Sequence, residues 1–525
     1  MDPVALQDIV DVVNGTWLSL GPDSSTPGRA CVDRILTDSR ALTHGQEWSE
    51  SSDQALFVAI DGPRFDGHDY LKEVSPRVSA TIVAESRIEK VRACAANAGS
   101  GMGAIVVDDP VDALADLARW YRKRLSARVI GVTGSVGKTT VKDFLGQLLS
   151  CHYPTVSATK SFNNRLGVSL TILNASSSTR YLIVEMGTSG PGEIADLSRV
   201  VAPDFAVVTA VGHAHLQGLG DLQGVAREKS SIFEGLQPGG SAVIPAPIFD
   251  EQRFLDRAWR HAGQVHRVGW SLDDSRPGGY WITACDPVAR GPHRLPGFQF
   301  EINHRYRFEL PLPGSHNVFN ALVAMTVAHE CGMDWSDLRD PLSRLTLPPL
   351  RLQMSTAGGV TIVDDTYNAN PLSVRGALQA VRDIPIESGG RWFLVLGDLL
   401  ELGDNATLFH HHLGTEIADS GTFAGMCAVG DQARHAAESA RERGLESLMV
   451  ESDASDSDRV VEELLAVLRP GDGVLFKASR GVALDGVVRK LRDLLGGENR
   501  ITKKIAEEKD LDERGREANH ALLSL

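Results

Sequence analysis

The sequence predicts an α/β protein in which a small N-terminal α/β domain is followed by two doubly wound sheets, and three observations support this. The chain has 525 residues, too many for one ordinary core and enough for roughly three units. Short apolar runs alternate with glycine turns and with hydrophobic residues at helical spacing, the pattern of strand, turn and helix. One of these turns, Gly131-Val-Thr-Gly134-Ser135-Val-Gly137-Lys138-Thr139-Thr140, stands between a strand candidate and an amphipathic helix candidate.

The elements follow in order. Residues 1–125 mix short apolar runs, at 55–60 and 80–84, with loops, and the polar stretch 43–54 reads as an extended surface loop. At 126 the pattern changes: 127–130 is a short buried strand, and after the glycine turn Val141, Phe144, Leu145, Leu148 and Leu149 recur at helical spacing. Further strands are expected at 181–184 and 205–211. From about 350 a fresh series begins, with strands at 360–363, 393–396, 426–429 and 474–476. Residues 498–517 mix both charge signs densely and read as an exposed helix or a disordered tail. The boundaries expected are 1–125, 126–345 and 346–495, with a charged tail at 496–525.

Composition narrows the function. A content of 42% hydrophobic and 23% charged residues with 51 Gly is ordinary for a folded α/β protein. A formal charge of -15 argues against nucleic acid and anionic membrane surfaces, so a phosphate ligand must be caught locally. The six Cys form no Cys-x-x-Cys pair, which indicates neither a zinc site nor a disulfide framework. The N-terminus lacks the features of a signal peptide, and no stretch approaches the roughly 18 apolar residues of a membrane span. A cytoplasmic protein is expected.

The glycine turn is the strongest local signal. Its backbone N–H groups and the helix start behind it suit phosphate, Lys138 suits the β- and γ-phosphates, and the Thr139 hydroxyl suits a magnesium ion. Gly134, Ser135, Gly137 and Thr140 complete the expected ATP contacts. The strict P-loop spacing would place glycine at Val132, whereas here the glycines fall at 131, 134 and 137. Glu185 and His215 each follow a strand and are expected beyond the carboxyl edge of the sheet that carries the turn. With Thr139 they form an oxygen and nitrogen set for magnesium, although a single His beyond a strand is more often a hydrogen-bonding residue than a ligand.

Glu185-Met-Gly-Thr-Ser-Gly-Pro-Gly-Glu193, Val211-Gly-His-Ala-His215 and Arg227-Glu-Lys229-Ser follow one another in the order of the central domain of the Mur ligases, and the chain resembles that family from about residue 35 to 495. The variant glycine spacing is also the family's. The resemblance implies a three-domain architecture: an N-terminal domain that binds a UDP-linked precursor, a central P-loop ATPase-like domain, and a C-terminal Rossmann-like domain that takes the amine substrate. It also implies that Lys229 is carbamylated, which converts a cation into an anionic magnesium ligand. Lys138, Glu185, His215 and Lys229 would then be the catalytic set.

Elsewhere Thr37-Asp-Ser39-Arg40 and Asp66-Gly-His68 resemble the family's UDP-sugar segments, and Ser161-Phe-Asn163-Asn164 its paired-asparagine loop. Gly314-Ser-His-Asn317-Val-Phe-Asn320 would serve adenine, and Arg351 would reach ATP. In Asp364-Asp365-Thr-Tyr367-Asn368-Ala-Asn370-Pro371, Asp365 would meet the nucleotide, while Tyr367, Asn368 and Asn370 would meet the amine. Asp398 and Glu401, with His410 just beyond, and Ser479 with Arg480 complete the substrate set. Helix capping and Asn-rich turn duty are the alternatives for the asparagines.

The implied reaction joins D-alanyl-D-alanine to UDP-N-acetylmuramoyl-tripeptide through an acyl phosphate, with ATP and magnesium; a monomer is expected. Ala210, Gln217, Ser169 and Ala478 depart from the family's usual asparagine, glutamate, proline and glycine. The alternatives are a sister ligase with a different amine, a folylpolyglutamate synthetase-like enzyme, or a nucleotide-binding regulatory homologue. The segment at 66–68 and the string at 368–371 argue against the first two; Lys138, Glu185, His215 and Lys229 argue against the last. A GTPase is disfavoured because no Asn-Lys-x-Asp string occurs.

Overall fold

The computed structural model of the protein describes residues 1–20, 27, 30–42, 54–62, 65–98, 103–158, 161–271, 279–290, 295–450 and 457–497. The loop expected at 43–54, save for residue 54, and the charged tail from 498 lie outside the described residues. The fold is mixed α/β, as the sequence predicts, and the chain divides into two compact units. The first is Met1–Val211 with Ala226–Trp281 and Leu322–Pro341; the second is Gly212–Val225, Ile282–Ala321 and Leu342–Leu525.

The first unit holds two sheets that bear on the site. In the N-terminal one the order is Thr16–Ser19, Gly103–Val107, Ala80–Ala84, Ala55–Val58, Arg34–Leu36, with only the first pairing antiparallel. The second is parallel across Gln264–Trp270, Ser241–Ala246, Phe205–Val208, Arg128–Thr133, Tyr181–Glu185 and Thr155–Ser157, in that spatial order. Its central strands read as unbroken apolar runs because helices cover both faces of a parallel sheet. Val129, Ile130, Val132, Leu182, Ile183, Val184 and Val207 are accordingly all fully buried.

Gly279–Arg290, Leu295–Ile302 and Tyr306–Leu310 form an antiparallel meander that the sequence reading did not anticipate, and from Ile282 onward it belongs to the second unit. The main sheet of that unit has the order Gln353–Ala357, Val360–Asp365, Gly473–Lys477, Trp392–Gly397, Phe423–Val429, Ser447–Val450. The first strand is antiparallel and the rest are parallel. The four strands expected from 360 onward all form, each extended by two or three residues. The last strand in sequence, Gly473–Lys477, lies near the middle of the sheet, so that the loops after it and after both its neighbours open at one edge.

Candidate functional site

In the first unit the strands Arg128–Thr133, Tyr181–Glu185 and Phe205–Val208 lie side by side, and the glycine turn and Glu185 emerge at their carboxyl ends. The variant glycine spacing has a physical reason. Val132 is still a strand residue, fully buried and paired with Glu185 and Val207, so glycine has no advantage there. Gly134 has φ 149° and Gly137 φ 83°, conformations an L side chain rarely adopts. A Cβ at Gly134 would also come within 2.1 Å of the Thr209 hydroxyl. That hydroxyl braces the turn by donating to the Val136 carbonyl at 2.5 Å, and Ser135 N–H donates to the Ala210 carbonyl at 2.8 Å. The departure at Ala210 therefore leaves this backbone contact intact.

Gly137 caps the helix Lys138–Ser150, whose first residues are the expected phosphate contacts Lys138, Thr139 and Thr140. Lys138 Nζ donates to the Gly134 carbonyl at 2.7 Å, and Thr139 Oγ1 lies 3.2 Å from Ser161 Oγ. Thr140 is buried in the same turn of helix. Asn163 Nδ2 donates to Glu185 Oε1 at 2.9 Å, while its carbonyl accepts from Gly187 N–H at 2.8 Å. Asn164 caps the helix Arg165–Leu173 by accepting from Gly167 N–H at 2.9 Å, so its capping role is met. Within that helix Ser169, in place of the expected proline, returns its hydroxyl to the Arg165 carbonyl at 2.8 Å.

Lys229 lies on the helix Leu222–Ser230 with no exposed surface, and its Nζ has no hydrogen-bond partner among the described residues. Burial pushes its ammonium well below the ordinary value; the charge of Lys138 adds to this, and Glu228, Glu193 and Glu185 oppose it. Glu185 is 1% exposed and its Oε2 is likewise buried without a partner. Two orphaned polar atoms this deep call for a counter-group, because an unsatisfied buried donor or acceptor costs about 1–3 kcal/mol. Among the described residues no group of three or more His, Cys, Asp or Glu side chains could hold a metal. Thr139, Glu185 and Lys229 belong to the first unit and His215 to the second. An amine is a poor ligand for magnesium, which takes oxygen donors, so the first-unit residues Thr139, Glu185 and Lys229 fit that ion only if Lys229 carries a carboxylate.

Sequence reasoning missed Glu228. Its carboxylate accepts from Gly192 N–H and Ile194 N–H, both at 2.7 Å, and so caps the helix Glu193–Val201, whose own N-cap is a glycine without a side chain. Its only sequence signal was adjacency to Lys229.

The N-terminal candidates are held by their own neighbours. Arg40 pairs with Asp38 at 2.7 Å in the open, and Ser39 is buried. Asp66 contacts His68 Nδ1 at 2.6 Å and Lys90 Nζ at 2.7 Å, while His68 Nε2 accepts from Ala84 N–H at 3.1 Å. Burial raises the Asp66 carboxyl, but the Lys90 and His68 hydrogen bonds outweigh it and hold the group well below the usual range. His68 has no exposed surface and both ring nitrogens are engaged, so it organises this turn instead of facing solvent.

In the second unit, His215 has φ 55° and its Nδ1 lies 2.5 Å from Glu401 Oε2, an ion-pair contact outside hydrogen-bond geometry. Asn317 Nδ2 donates to the Pro313 carbonyl at 2.8 Å and Asn320 Nδ2 to Asn317 Oδ1 at 3.2 Å, so the two side chains share one helix face. The guanidinium of Arg351 stacks 4.4 Å from the centre of the Tyr367 ring. Asp365 Oδ2 pairs with Lys477 Nζ at 2.6 Å. Asn370 forms a capping box with Ser373 at the start of the helix Pro371–Asp383. Asp398 Oδ1 accepts from Gln432 N–H at 3.0 Å and Ala433 N–H at 2.7 Å. Ser479 Oγ accepts from Leu400 N–H at 2.9 Å, and Arg480 pairs in the open with Asp485 at 3.3 Å. His410 is buried and accepts Leu399 N–H on Nε2 at 3.0 Å. Carboxyl-edge residues of this sheet are thus brought together around residues 365–370, 398–401 and 477–480.

The chain is similar to known proteins over nearly its whole length. Residues 132–328 match the Mur ligase middle domain and residues 350–480 the Mur ligase, glutamate ligase domain. The chain is 31% identical over 492 residues to the UDP-N-acetylmuramoyl-tripeptide--D-alanyl-D-alanine ligase of Bacillus subtilis, covering 93% of this chain and 98% of that one. It is 29% identical to the ligase of the same name from Escherichia coli, with 94% and 99% covered. Among solved structures, MurF from Acinetobacter baumannii superposes with a TM-score of 0.78 at 27% identity over 94% of this chain and 99% of that one. MurF from Thermotoga maritima in complex with ADP gives 0.70 at 27% identity, covering 89% and 98%. A likeness that spans both halves of the chain at this level of identity is one of descent as well as of fold, and the chain belongs to the Mur ligase family.

Proposed function

We propose that the protein is an ATP-dependent ligase that joins D-alanyl-D-alanine to UDP-N-acetylmuramoyl-tripeptide, a step of peptidoglycan precursor synthesis, with ADP and phosphate as products. The observation that carries the chemistry is the pairing of a phosphate turn with a fully buried, unpartnered Lys229 and a half-satisfied Glu185. The two substrates are those named for relatives that the chain matches over nearly their whole length.

Lys138 and the N–H groups at 134–140 bind the phosphate chain and draw charge from the γ-phosphoryl as it transfers. An oxygen of the acceptor carboxylate attacks phosphorus, the bond to ADP breaks, and an acyl phosphate results. The dipeptide amine, having shed its proton, then attacks the acyl carbon; the tetrahedral adduct collapses and phosphate leaves. Arg351, held on Tyr367, adds a second positive charge for the nucleotide, with Asp365, Asn317 and Asn320 as further contacts. Tyr367, Asn368, Asn370, Asp398, Glu401, Ser479 and Arg480 serve the dipeptide and the reacting end of the acceptor. Ser39, Arg40 and Asp66 serve the UDP end, with His68 shaping their loop.

Bound magnesium supplies charge neutralisation at the transferring phosphoryl group. Thr139, Glu185, His215 and Lys229 would hold it, the last as a carbamate. The lowered ammonium value of Lys229 favours that conversion: a neutral amine attacks carbon dioxide and releases one proton. The division of duties among 1–125, 126–345 and 346–495 belongs to the same proposal, as do a monomeric state and a cytoplasmic location. Among the described residues no helix is long and apolar enough to cross a membrane.

The test is phosphate release from magnesium-ATP with each of the two substrates omitted in turn, using acceptors with meso-diaminopimelate and with lysine at the third position. Release that needs both substrates, with a matching gain in product mass, is expected, and Lys138→Ala should abolish it. Release independent of the dipeptide, or full activity in that variant, would overturn the proposal.

A further inference from the structure

Lys477 ends the strand Gly473–Lys477 and is 1% exposed. Asp365 ends the neighbouring strand Val360–Asp365, and the two are direct partners in the parallel register, so their side chains leave the sheet on the same face. Nζ of Lys477 lies 2.6 Å from Asp365 Oδ2 and donates to the Asn368 carbonyl at 2.8 Å. The other oxygen of Asp365 accepts from Leu352 N–H at 3.3 Å. One ammonium therefore reaches two segments: 350–352 through Asp365, and 368–370 directly.

Both segments need fixing. Leu350 and Leu352 flank Arg351 with φ 61° and 44°, left-handed conformations that a leucine adopts only when its surroundings impose them. Tyr367 N–H donates to the Leu350 carbonyl at 3.1 Å, and the Tyr367 ring carries the Arg351 guanidinium. Asn368 and Asn370 sit in a loop whose backbone is also tied at the Ala369 carbonyl, by Ser479 Oγ at 3.2 Å, and at the Asn370 N–H, by Ser373 Oγ at 2.9 Å, so that the Asn368 carbonyl depends on Lys477. Without the ammonium, Asp365 would be a buried charge with no cation in contact, and the Asn368 carbonyl would lose its donor.

We infer that Lys477 is a positioning residue that couples the nucleotide-facing arginine segment at 350–352 to the amine-facing asparagine loop at 368–370, so that the two substrates are bound by one shared support. The inference rests on the functions proposed above for Arg351 and Asn368. In this arrangement, order imposed on one segment by its substrate is passed through Asp365 and Lys477 to the other.

The experiment compares wild type with Lys477→Gln and with Lys477→Met/Asp365→Asn, which removes both buried charges together and guards against simple unfolding of a single-charge variant. Hydrogen exchange followed by mass spectrometry reads peptides covering 350–353 and 366–370, and this readout needs no activity. Steady-state phosphate release reads the three KM values. Lys477→Gln should lose protection in both peptides and raise the KM for ATP and for D-alanyl-D-alanine at least tenfold, with the KM for the UDP-linked acceptor changed less than twofold. The paired variant should show the same joint loss. Unchanged exchange in either peptide, one KM rising alone, or all three rising together would overturn the inference. Wild-type protein that releases no dipeptide-dependent phosphate would instead count against the function proposed above, and the exchange result would still decide whether Lys477 couples the two segments.

Discussion

The side-chain amide of Asn163 donates to one oxygen of Glu185 at 2.9 Å, while the other oxygen of that carboxylate is buried with no partner. The amide thus fixes which oxygen of Glu185 stays available. Asn163→Ala would leave a nearly inaccessible carboxylate with neither oxygen held, and Asn163→Asp would set a second carboxylate against it. A loss of about 10- to 100-fold in kcat is expected for Asn163→Ala, the range seen when supports of a metal or phosphate ligand are removed. Asn163→Asp should lose more. Phosphate-release kinetics check this, and equal rates for Asn163→Ala and wild type would remove Asn163 from the supporting role.

His316, one residue before Asn317, predicts an acid limit to stability. Burial pushes its imidazole down to about 4 from 6.5; Asp365 opposes the shift and Lys477 adds to it. Between pH 6.5 and 4 the unfolded chain takes up a proton at this site that the folded chain refuses, so stability falls as pH is lowered through that window and the loss is complete below 4. The size is about 3 kcal/mol at most. His316→Asn should flatten that part of the stability–pH profile measured by urea unfolding, while the slope below pH 4 from carboxylates persists. An unchanged slope between 6.5 and 4 would mean that His316 protonates freely in the folded chain.

Much of this site could be read in the sequence because its strongest signals are local. A glycine turn followed by Lys138 and Thr139 announces phosphate wherever a strand precedes it and a helix follows, and the parallel strands could be recognised because both faces are apolar. The unread parts depend on pairings distant in sequence. Glu228 reaches back to Gly192 and Ile194, and Lys477 meets Asp365 only because a late strand inserts beside an earlier one. The meander Gly279–Arg290, Leu295–Ile302 and Tyr306–Leu310 escaped detection for another reason. Its last strand alternates exposed Arg307 and Glu309 with buried Phe308 and Leu310, so no apolar run marks it. His68 enters the substrate set through the resemblance of its segment to the family's, and only the distances reveal that its ring nitrogens are engaged by Asp66 and Ala84.

Glu228 offers a sharper test of the first unit than any phosphate-turn residue, because its two short hydrogen bonds go to backbone, at Gly192 and Ile194, with the Thr188 hydroxyl farther off at 3.4 Å. Glu228→Ala strips two N–H groups of their acceptor at the start of the helix Glu193–Val201, where the glycine N-cap gives no replacement. A loss of about 2 kcal/mol is expected, at the upper end for helix caps. Glu228→Gln keeps one acceptor and should lose about half as much. Thermal unfolding with equal losses for the two variants would show that charge, not the paired hydrogen bonds, matters there.

Tyr121 ties the start of the chain to the first unit. Its hydroxyl accepts from Asp2 N–H at 2.7 Å and donates to the buried Ala175 carbonyl at 2.9 Å, and the phenol is pushed up to about 12, chiefly by burial. Asp2 in turn accepts from Ser177 N–H at 2.8 Å and Ser177 Oγ at 3.0 Å. Tyr121→Phe keeps the ring but deprives the Ala175 carbonyl and the Asp2 amide of their partner, a cost of about 1–3 kcal/mol. Asp2→Ala removes the other half of the same small network. Since the two groups act together, the double variant should be less destabilised than the two single losses combined, by at least about 0.5 kcal/mol. A double-mutant cycle on urea unfolding measures that coupling. Strict additivity would mean that the side chains of Asp2 and Tyr121 hold the N-terminus independently, and that the 3.2 Å contact of the Tyr121 hydroxyl with Asp2 Oδ2 contributes nothing to stability.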